Sequence, residues 1–292
     1  MKYAKADRSF HIIVNALLLL ISLCILIPLI NIVACSFSDY HATIAGRVGL
    51  WPVDFSLDGY KEVFSYKGIG TSYMNTIFYT VAGTFVNIVM TMVAAYSLSK
   101  KGVPFRGLVM GLFTFTMLFS GGIIPNYMLY KDLHILNTRL VMILPGAISV
   151  YNMFIARTFI QNIPQELWEA ADIDGCTEFR FFASIVLPLA VTVITVLSLY
   201  YAVGHWNSYF DAFMYLNKQE LMPLQVKLRE ILILNTIDAD KLIDSDTASA
   251  REGMAEMLKY ALIIVSSAPV LCLYPFAKRY FMRGVMLGSL KG

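Results

Sequence analysis

The sequence is poor in charge. Asp, Glu, Lys and Arg make up 15% of its 292 residues, where a soluble domain carries about 25%. Six long stretches hold none of them: 12–34, 73–98, 107–129, 140–156, 187–204 and 261–277. Transporters driven by protons or sodium keep ionisable groups inside the membrane for coupling. These stretches offer none, which weighs against an ion-coupled secondary transporter of a small solute, the rival function. No His-Glu-x-x-His, paired intramembrane acids, or nucleophile with a plausible base is present, so nothing marks a membrane enzyme. No G-x4-G-K-[ST] occurs, so the chain has no P-loop for ATP. The four cysteines (Cys24, Cys35, Cys176, Cys272) form no C-x-x-C pair, and the four histidines are scattered. No metal site is expected, and the cysteines read as small packed hydrophobes. A net charge of +3 without a basic stripe argues against nucleic acid.

What the chain has is apolar residues, 58% of the total. A soluble fold of this size leaves roughly a quarter of its unfolded surface in water and could not hide so many. A bilayer removes that constraint. A span needs about 20 apolar residues, and backbone in hydrocarbon must satisfy its own polar groups. The six stretches are therefore expected to be transmembrane helices of an all-α integral membrane protein, the fourth and sixth being short.

Basic residues collect on cytoplasmic loops. With the N-terminus inside, the inner segments hold Lys2, Lys5, Arg8, Lys100, Lys101, Arg106, Arg157, Arg180, Lys278, Arg279, Arg283 and Lys291. The long outer loop mixes bases with acids and counts little, so an N-in, C-in topology is expected. Ile32-Val33-Ala34-Cys35 looks like a lipoprotein cleavage box. The preceding apolar run is longer than the 7–15 residues of a secretory signal, and five more spans follow, so it reads as a first span instead.

The expected organisation is an N-terminal segment and first span (1–35), an outer loop (36–71), a body of five spans (72–277) and a cytoplasmic tail (278–292). Within the body, 205–257 is a long outer loop. Its stretch 221–234 begins with Pro223 and spaces Leu224, Leu228, Ile231 and Leu232 on one helical face.

The segment 162–188 is the most informative. Pro164 suits a first helical turn, Glu166 suits the positive end of the helix dipole, and Gly175 is a natural stop. A three-turn helix outside the membrane is predicted, with Leu167, Ala170, Ala171 and Asp174 on one face that a partner could approach closely. Thr177 can cap a second short helix anchored by Phe179, Phe181 and Phe182, and Pro188 would start the fifth span.

Glu169, Ala170, Ala171, Gly175, Ile185, Leu187 and Pro188 fill all seven positions of the pattern E-A-A-x3-G-x9-I-x-L-P. The chance of that is roughly 10⁻⁸ per starting position. The pattern is the signature of bacterial ABC importer membrane subunits, which the chain resembles over nearly its whole length. His205-Trp206-Asn207-Ser208-Tyr209 and the glycine-rich tail around Gly284, Gly288 and Lys291 are similar to the MalG-like carbohydrate branch, of the LplC and YtcP type.

The resemblance implies the type I ABC importer fold in a bacterial plasma membrane. It implies partners: a second, MalF-like permease subunit, two ATP-binding cassette subunits and an extracytoplasmic solute-binding lipoprotein. ATP and Mg would be bound by the ATPases, leaving this chain without a cofactor. It also implies that the signature helix docks on the ATPase. Glu169 would pair with a base there, Ala170 and Ala171 would permit the fit, Gly175 would make the turn, and Asp174, Ile185, Leu187 and Pro188 would complete the segment. The tail would insert between the ATPases, and the cargo would be an oligosaccharide such as a plant-wall uronide. For the substrate path, Asn87, Thr114, Ser120 and Asn152 are polar candidates, and Trp206 and Tyr209 could stack on a sugar. Small polar residues also bridge helices, and aromatics also form interfacial belts.

Overall fold

Backbone that must close its own hydrogen bonds forms helices, and a computed structural model of the chain is helical almost throughout. It describes residues 2–100, 102–240 and 255–272. The helices in order are α1 (Lys2–Ser36), α2 (Tyr40–Ile44), α3 (Asp58–Ser65), α4 (Ile69–Ser99), α5 (Arg106–Leu118), α6 (Ile123–Asp132) and α7 (Val150–Gln161). They continue with α8 (Gln165–Ile173), α9 (Glu178–Phe181), α10 (Leu187–Leu189), α11 (Val191–Trp206), α12 (Tyr209–Tyr215) and α13 (Leu224–Asp240), and end with α14 (Ala255–Cys272). A single isolated bridge, Ser38 to Phe55, is the only extended pairing among the described residues.

Three helices are long and apolar enough to cross a membrane unaided: Phe10–Ser36 within α1, α4, and α14. The other expected spans are interrupted. Stretch 107–129 is α5 and α6, bent by 119°. The break carries Ser120-Gly121-Gly122, and Gly122 takes a φ of +86°, which ends a right-handed helix. Stretch 140–156 is not one helix. A 3₁₀ turn at Arg139–Met142 precedes Pro145-Gly146, and only from Val150 does α7 run on, five residues past the expected end. The fifth span does not start at Pro188 as a straight helix: α9 to α10 and α11 meet at 79°, with Ala190 between them. Taking each bent pair as one span gives five spans among the described residues. The last residues of 261–277 lie outside the described residues.

The chain divides into two compact units. One comprises the described parts of Met1–Ile69 and Leu228–Ala268. In it, the amide of Asn31 donates to the carbonyls of Val48 and Gly49, tying the loop after α2 to the end of α1. The hydroxyls of Ser36 and Tyr60 bond at 2.8 Å. At Gly59 of α3 an added Cβ would lie 3.2 Å from Met257 and 3.3 Å from Ala261 of α14. The most apolar 18-residue window of α1 has none of its residues buried inside the chain and so faces lipid or another subunit, while Ala34, Cys35 and Ser36 at the helix end are buried.

The other unit is built on Gly70–Lys227. Its core packs Met92, Ala95, Tyr96 and Leu98 of α4 against Met153, Ala156 and Ile160 of α7, Phe181 of α9, and Val193, Leu197 and Tyr201 of α11. The first turns of α4 are strapped by the segment before α13. Asn75 donates to the carbonyls of Glu220 and Met222, Tyr79 donates to Leu221, and the Leu224 amide donates to Thr76 Oγ1 at 2.7 Å. The expected helix at 221–234 is α13, which buries Leu224, Leu228 and Ile231.

Candidate functional site

The signature segment folds as a helix–turn–helix at the α8 end of the second unit. Pro164 is the N-cap of α8, where its missing N–H costs nothing. The helix ends with the Cys176 amide donating to the Ala171 carbonyl at 2.9 Å, across Gly175 at a φ of +67°. A Cβ there would meet nothing within 4 Å, so the left-handed backbone, not crowding, demands glycine. Thr177 then caps α9, its hydroxyl accepting from the Arg180 amide.

The faces of α8 differ from the expectation. Ala171 is only 8% exposed and belongs to the protein's own core with Ile163 and Phe181, so it does not share an open face with Ala170. The open face carries Glu166, Glu169, Ala170 and Ile173, the last 86% exposed. At about 100° per residue these four fall within one third of a turn. Leu167 and Asp174 flank it, both exposed. Ile185 and Leu187 are half-buried against the core and Pro188 is exposed. A π-helical turn, Phe182–Val186, links α9 to α10.

Residues that the motif does not specify hold α8 and the end of α4 in place. Trp168 stacks on Tyr96 of α4 at 5.8 Å and on Phe181 at 4.1 Å. Lys100 lies 5.0 Å from the Trp168 ring centre and is ion-paired with Glu178. The Tyr96 hydroxyl also donates to the Glu178 carboxylate at 2.5 Å. Arg106 and Arg157 both donate to the Leu98 carbonyl at 2.9 Å, satisfying the C-terminus of α4 with positive charge. A single sequence shows each residue only as a surface base, acid or aromatic, and no spacing rule joins positions so far apart.

Near the middle of α4 the same unit forms an open-sided cavity of about 510 Å³. It is lined by polar and aromatic side chains including Asn87, Asn152, His205, Asp211, Tyr200 and Tyr215. Of the candidate path residues, Asn87 and Asn152 are brought together here. Ser120 sits exposed in the α5–α6 break, and Thr114 bonds back to Met110 of its own helix. Trp206 is buried edge-on to Tyr73, and Tyr209 stacks on Phe213; neither lines the cavity. The sequence pattern does not reveal His205 and Asp211 as cavity residues, because their neighbours come from α4 and the 141–152 segment, far along the chain. Asn87 donates to the Gly146 carbonyl, which turns its oxygen to His205 Nε2 at 2.6 Å. The tail candidates Gly284, Gly288 and Lys291 lie outside the described residues. Among the described residues no group of three His, Cys, Asp or Glu side chains could hold a metal.

Known proteins resemble the chain over nearly its whole length. The chain is 39% identical over 287 residues to the polygalacturonan/rhamnogalacturonan transport system permease protein YtcP of Bacillus subtilis, covering 98% of this chain and 99% of that protein. It is 38% identical to Protein LplC of the same organism, over 100% of this chain and 98% of that one. In structure it is similar to a chain of a bacterial ABC transporter involved in the import of the acidic polysaccharide alginate. The TM-score is 0.84 at 33% identity, covering 94% of this chain and 98% of that one. Residues 2–285 match the family described as binding-protein-dependent transport system inner membrane component. The chain belongs to that family and has the all-helical ABC importer permease fold.

Proposed function

We propose that this chain is one of two pore-forming subunits of an ATP-driven importer of oligosaccharides in a bacterial plasma membrane. The single observation that carries this is the geometry of α8, whose open face presents Glu169 and Ala170 while Trp168 and Ala171 fix its other side to the bundle. Such a helix passes a push into α4 rather than bending away from it. The partners are a second, MalF-like permease, two ATPase subunits that bind ATP and Mg, and a binding protein that delivers the sugar. This chain itself hydrolyses nothing.

The topology in this reading is six crossings, N-in and C-in, with α8 and α9 on the cytoplasmic side. The sixth crossing is supplied by the 141–161 region, where α7 is short and the preceding segment irregular. Non-helical backbone at membrane depth is tolerated where it lines a cavity, and Met142, Pro145, Gly146 and Ser149 do line one. Asn87 and Asn152 belong to the sugar's route, while the tail with Gly284, Gly288 and Lys291 reaches the ATPases. Carbohydrate as cargo is supported by the relatives, whose names specify polygalacturonan, rhamnogalacturonan and alginate.

Glu169→Lys tests the role of α8. The assembled importer should insert normally but lose binding-protein-stimulated ATP hydrolysis by about tenfold or more, since a repelled charge pair costs at least 1.4 kcal/mol. Full stimulated hydrolysis and uptake with this change would remove α8 from the mechanism.

A further inference from the structure

The end of α4 gathers positive charge that the chain leaves unanswered. Arg106, the first residue of α5, and Arg157 of α7 each donate from Nε to the Leu98 carbonyl at 2.9 Å. With the Gln161 amide turned so that its oxygen faces them, that oxygen accepts from Nη2 of both at 3.0 Å. Two half-buried guanidiniums therefore converge on uncharged acceptors. Neither is in an ion pair among the described residues. The Glu178 carboxylate, at the same end of α4, is spent on Lys100 and the Tyr96 hydroxyl.

A single arginine would complement the negative end of the helix. The second adds like charge beside the first, and charges drawn out of water are ordinarily paired. A guanidinium carries five N–H donors in a planar fork, and the contacts above engage two of them on each arginine. The rest match the oxygens of a phosphate, which arginine binds through parallel hydrogen bonds.

The surface that begins at this pair is apolar. Leu108, Leu112 and Phe115 of α5, spaced four and three residues apart on one side of the helix, are each more than half exposed. From Arg106 to Phe115 a helix rises about 14 Å, close to the half-thickness of the hydrocarbon core, about 15 Å. In the topology proposed above, the arginines lie at the cytoplasmic end of their spans and the stripe runs from them into the bilayer. Positive charge at one end of an apolar stripe of leaflet length outlines a phospholipid, and basic pockets between spans on the cytoplasmic side hold anionic headgroups.

We propose that Arg106 and Arg157 bind the phosphate of an anionic phospholipid of the cytoplasmic leaflet, with an acyl chain along Leu108, Leu112 and Phe115. A zwitterionic headgroup is a poorer match, because it brings its own cation to the two arginines. The inference rests on the proposed topology and on no property of the cargo.

The test uses the complete importer in phosphatidylcholine nanodiscs doped with a lipid that carries a diazirine in its acyl chain, with adducts located by mass spectrometry. Diazirine-phosphatidylglycerol should label 106–118 at least about fivefold more than diazirine-phosphatidylcholine, the factor that one base near a membrane surface supplies. Arg106→Gln should cut that labelling about fivefold while Arg157 still holds the Leu98 carbonyl. Arg106→Lys, which keeps the charge, should retain most of it. Arg157→Gln makes the same comparison should Arg106→Gln fail to assemble. Equal labelling by the two lipids, or labelling unmoved by the Gln substitutions, would overturn the inference. Competition by soluble glycerol phosphate would overturn it too, by assigning the arginines to free phosphate. If neither lipid labels α5 in the assembled importer, a partner subunit covers this face and the lipid site is refuted. An impermeant thiol reagent on Phe105→Cys reads the side of the membrane independently. Reaction from outside removes the topology itself, whereas reaction only from inside, with equal labelling by both lipids, removes this inference alone.

Discussion

At the scale of single residues, one wall of the cavity depends on a close approach between α4 and His205. A Cβ added at Gly83 would overlap the His205 ring, so α4 can lie against that ring only with glycine there. Gly83→Ala should displace His205 from Asn87 and destabilise the protein by about 1–3 kcal/mol, as overpacking does; thermal unfolding of the purified chain measures it. Asp211 makes a second prediction, with a defined sign. Burial raises its carboxyl above the ordinary carboxylate range, which centres near pH 4. Its neighbours in the cavity are His205, Tyr130 and Tyr215, none of them a fixed cation at neutral pH. A raised acid binds its proton more tightly folded than unfolded, so ionising it costs stability as pH rises through the ordinary range and up to the raised value. Asp211→Asn should therefore raise the thermal midpoint at pH 7, and the gain should shrink on acidification toward pH 4. A gain that stays constant with pH would contradict a buried, ionised Asp211.

At the scale of elements, the short helix α8 depends on its surroundings for stiffness. Nine residues form too short a helix to persist alone in water. Its rigidity comes from Trp168 between Tyr96 and Phe181, from Lys100 over the Trp168 ring, and from the Lys100–Glu178 pair that ties α9 to the end of α4. Glu178 is mostly exposed, so the pair by itself contributes little, of the order of 0–1 kcal/mol. Its effect is to fix the angle of the loop. Lys100→Ala should leave abundance in the membrane almost unchanged while lowering the ATP hydrolysed in response to loaded binding protein. Gly175→Ala adds a left-handed alanine, costing about 1–2 kcal/mol, and should weaken coupling more than it weakens assembly.

At the scale of the whole molecule, the question is how often the chain crosses the bilayer. Among the described residues three helices can cross unbroken, and five crossings result if each bent pair is one span; in the proposed topology the irregular region before α7 supplies the sixth. Trp51 and Phe105, 82% and 79% exposed, then lie on opposite sides of the membrane. With the native cysteines replaced by serine, Trp51→Cys should react with an impermeant thiol reagent from outside intact cells. Phe105→Cys should react only after permeabilisation. Labelling of both from the same side would refute the assigned topology.

Some of this was legible in the residues alone. Backbone in lipid must close its own hydrogen bonds, so a high helix content followed from composition, and the helix at 165–173 with its turn at Gly175 followed from local stereochemistry. A seven-position motif is likewise a local pattern. The breaks were less legible: Gly121-Gly122 and Pro145-Gly146 are visible punctuation, but how sharply a helix turns at them depends on what packs there. Ala171 turned inward rather than outward because Trp168 and Phe181 draw that side of α8 onto the bundle. The pairing of Asn87 with His205 and the meeting of Asn152 and Asp211 at one cavity bring together segments more than fifty residues apart. Only tertiary packing brings such groups within hydrogen-bond range, and that packing turns scattered polar residues into a cavity of definite charge.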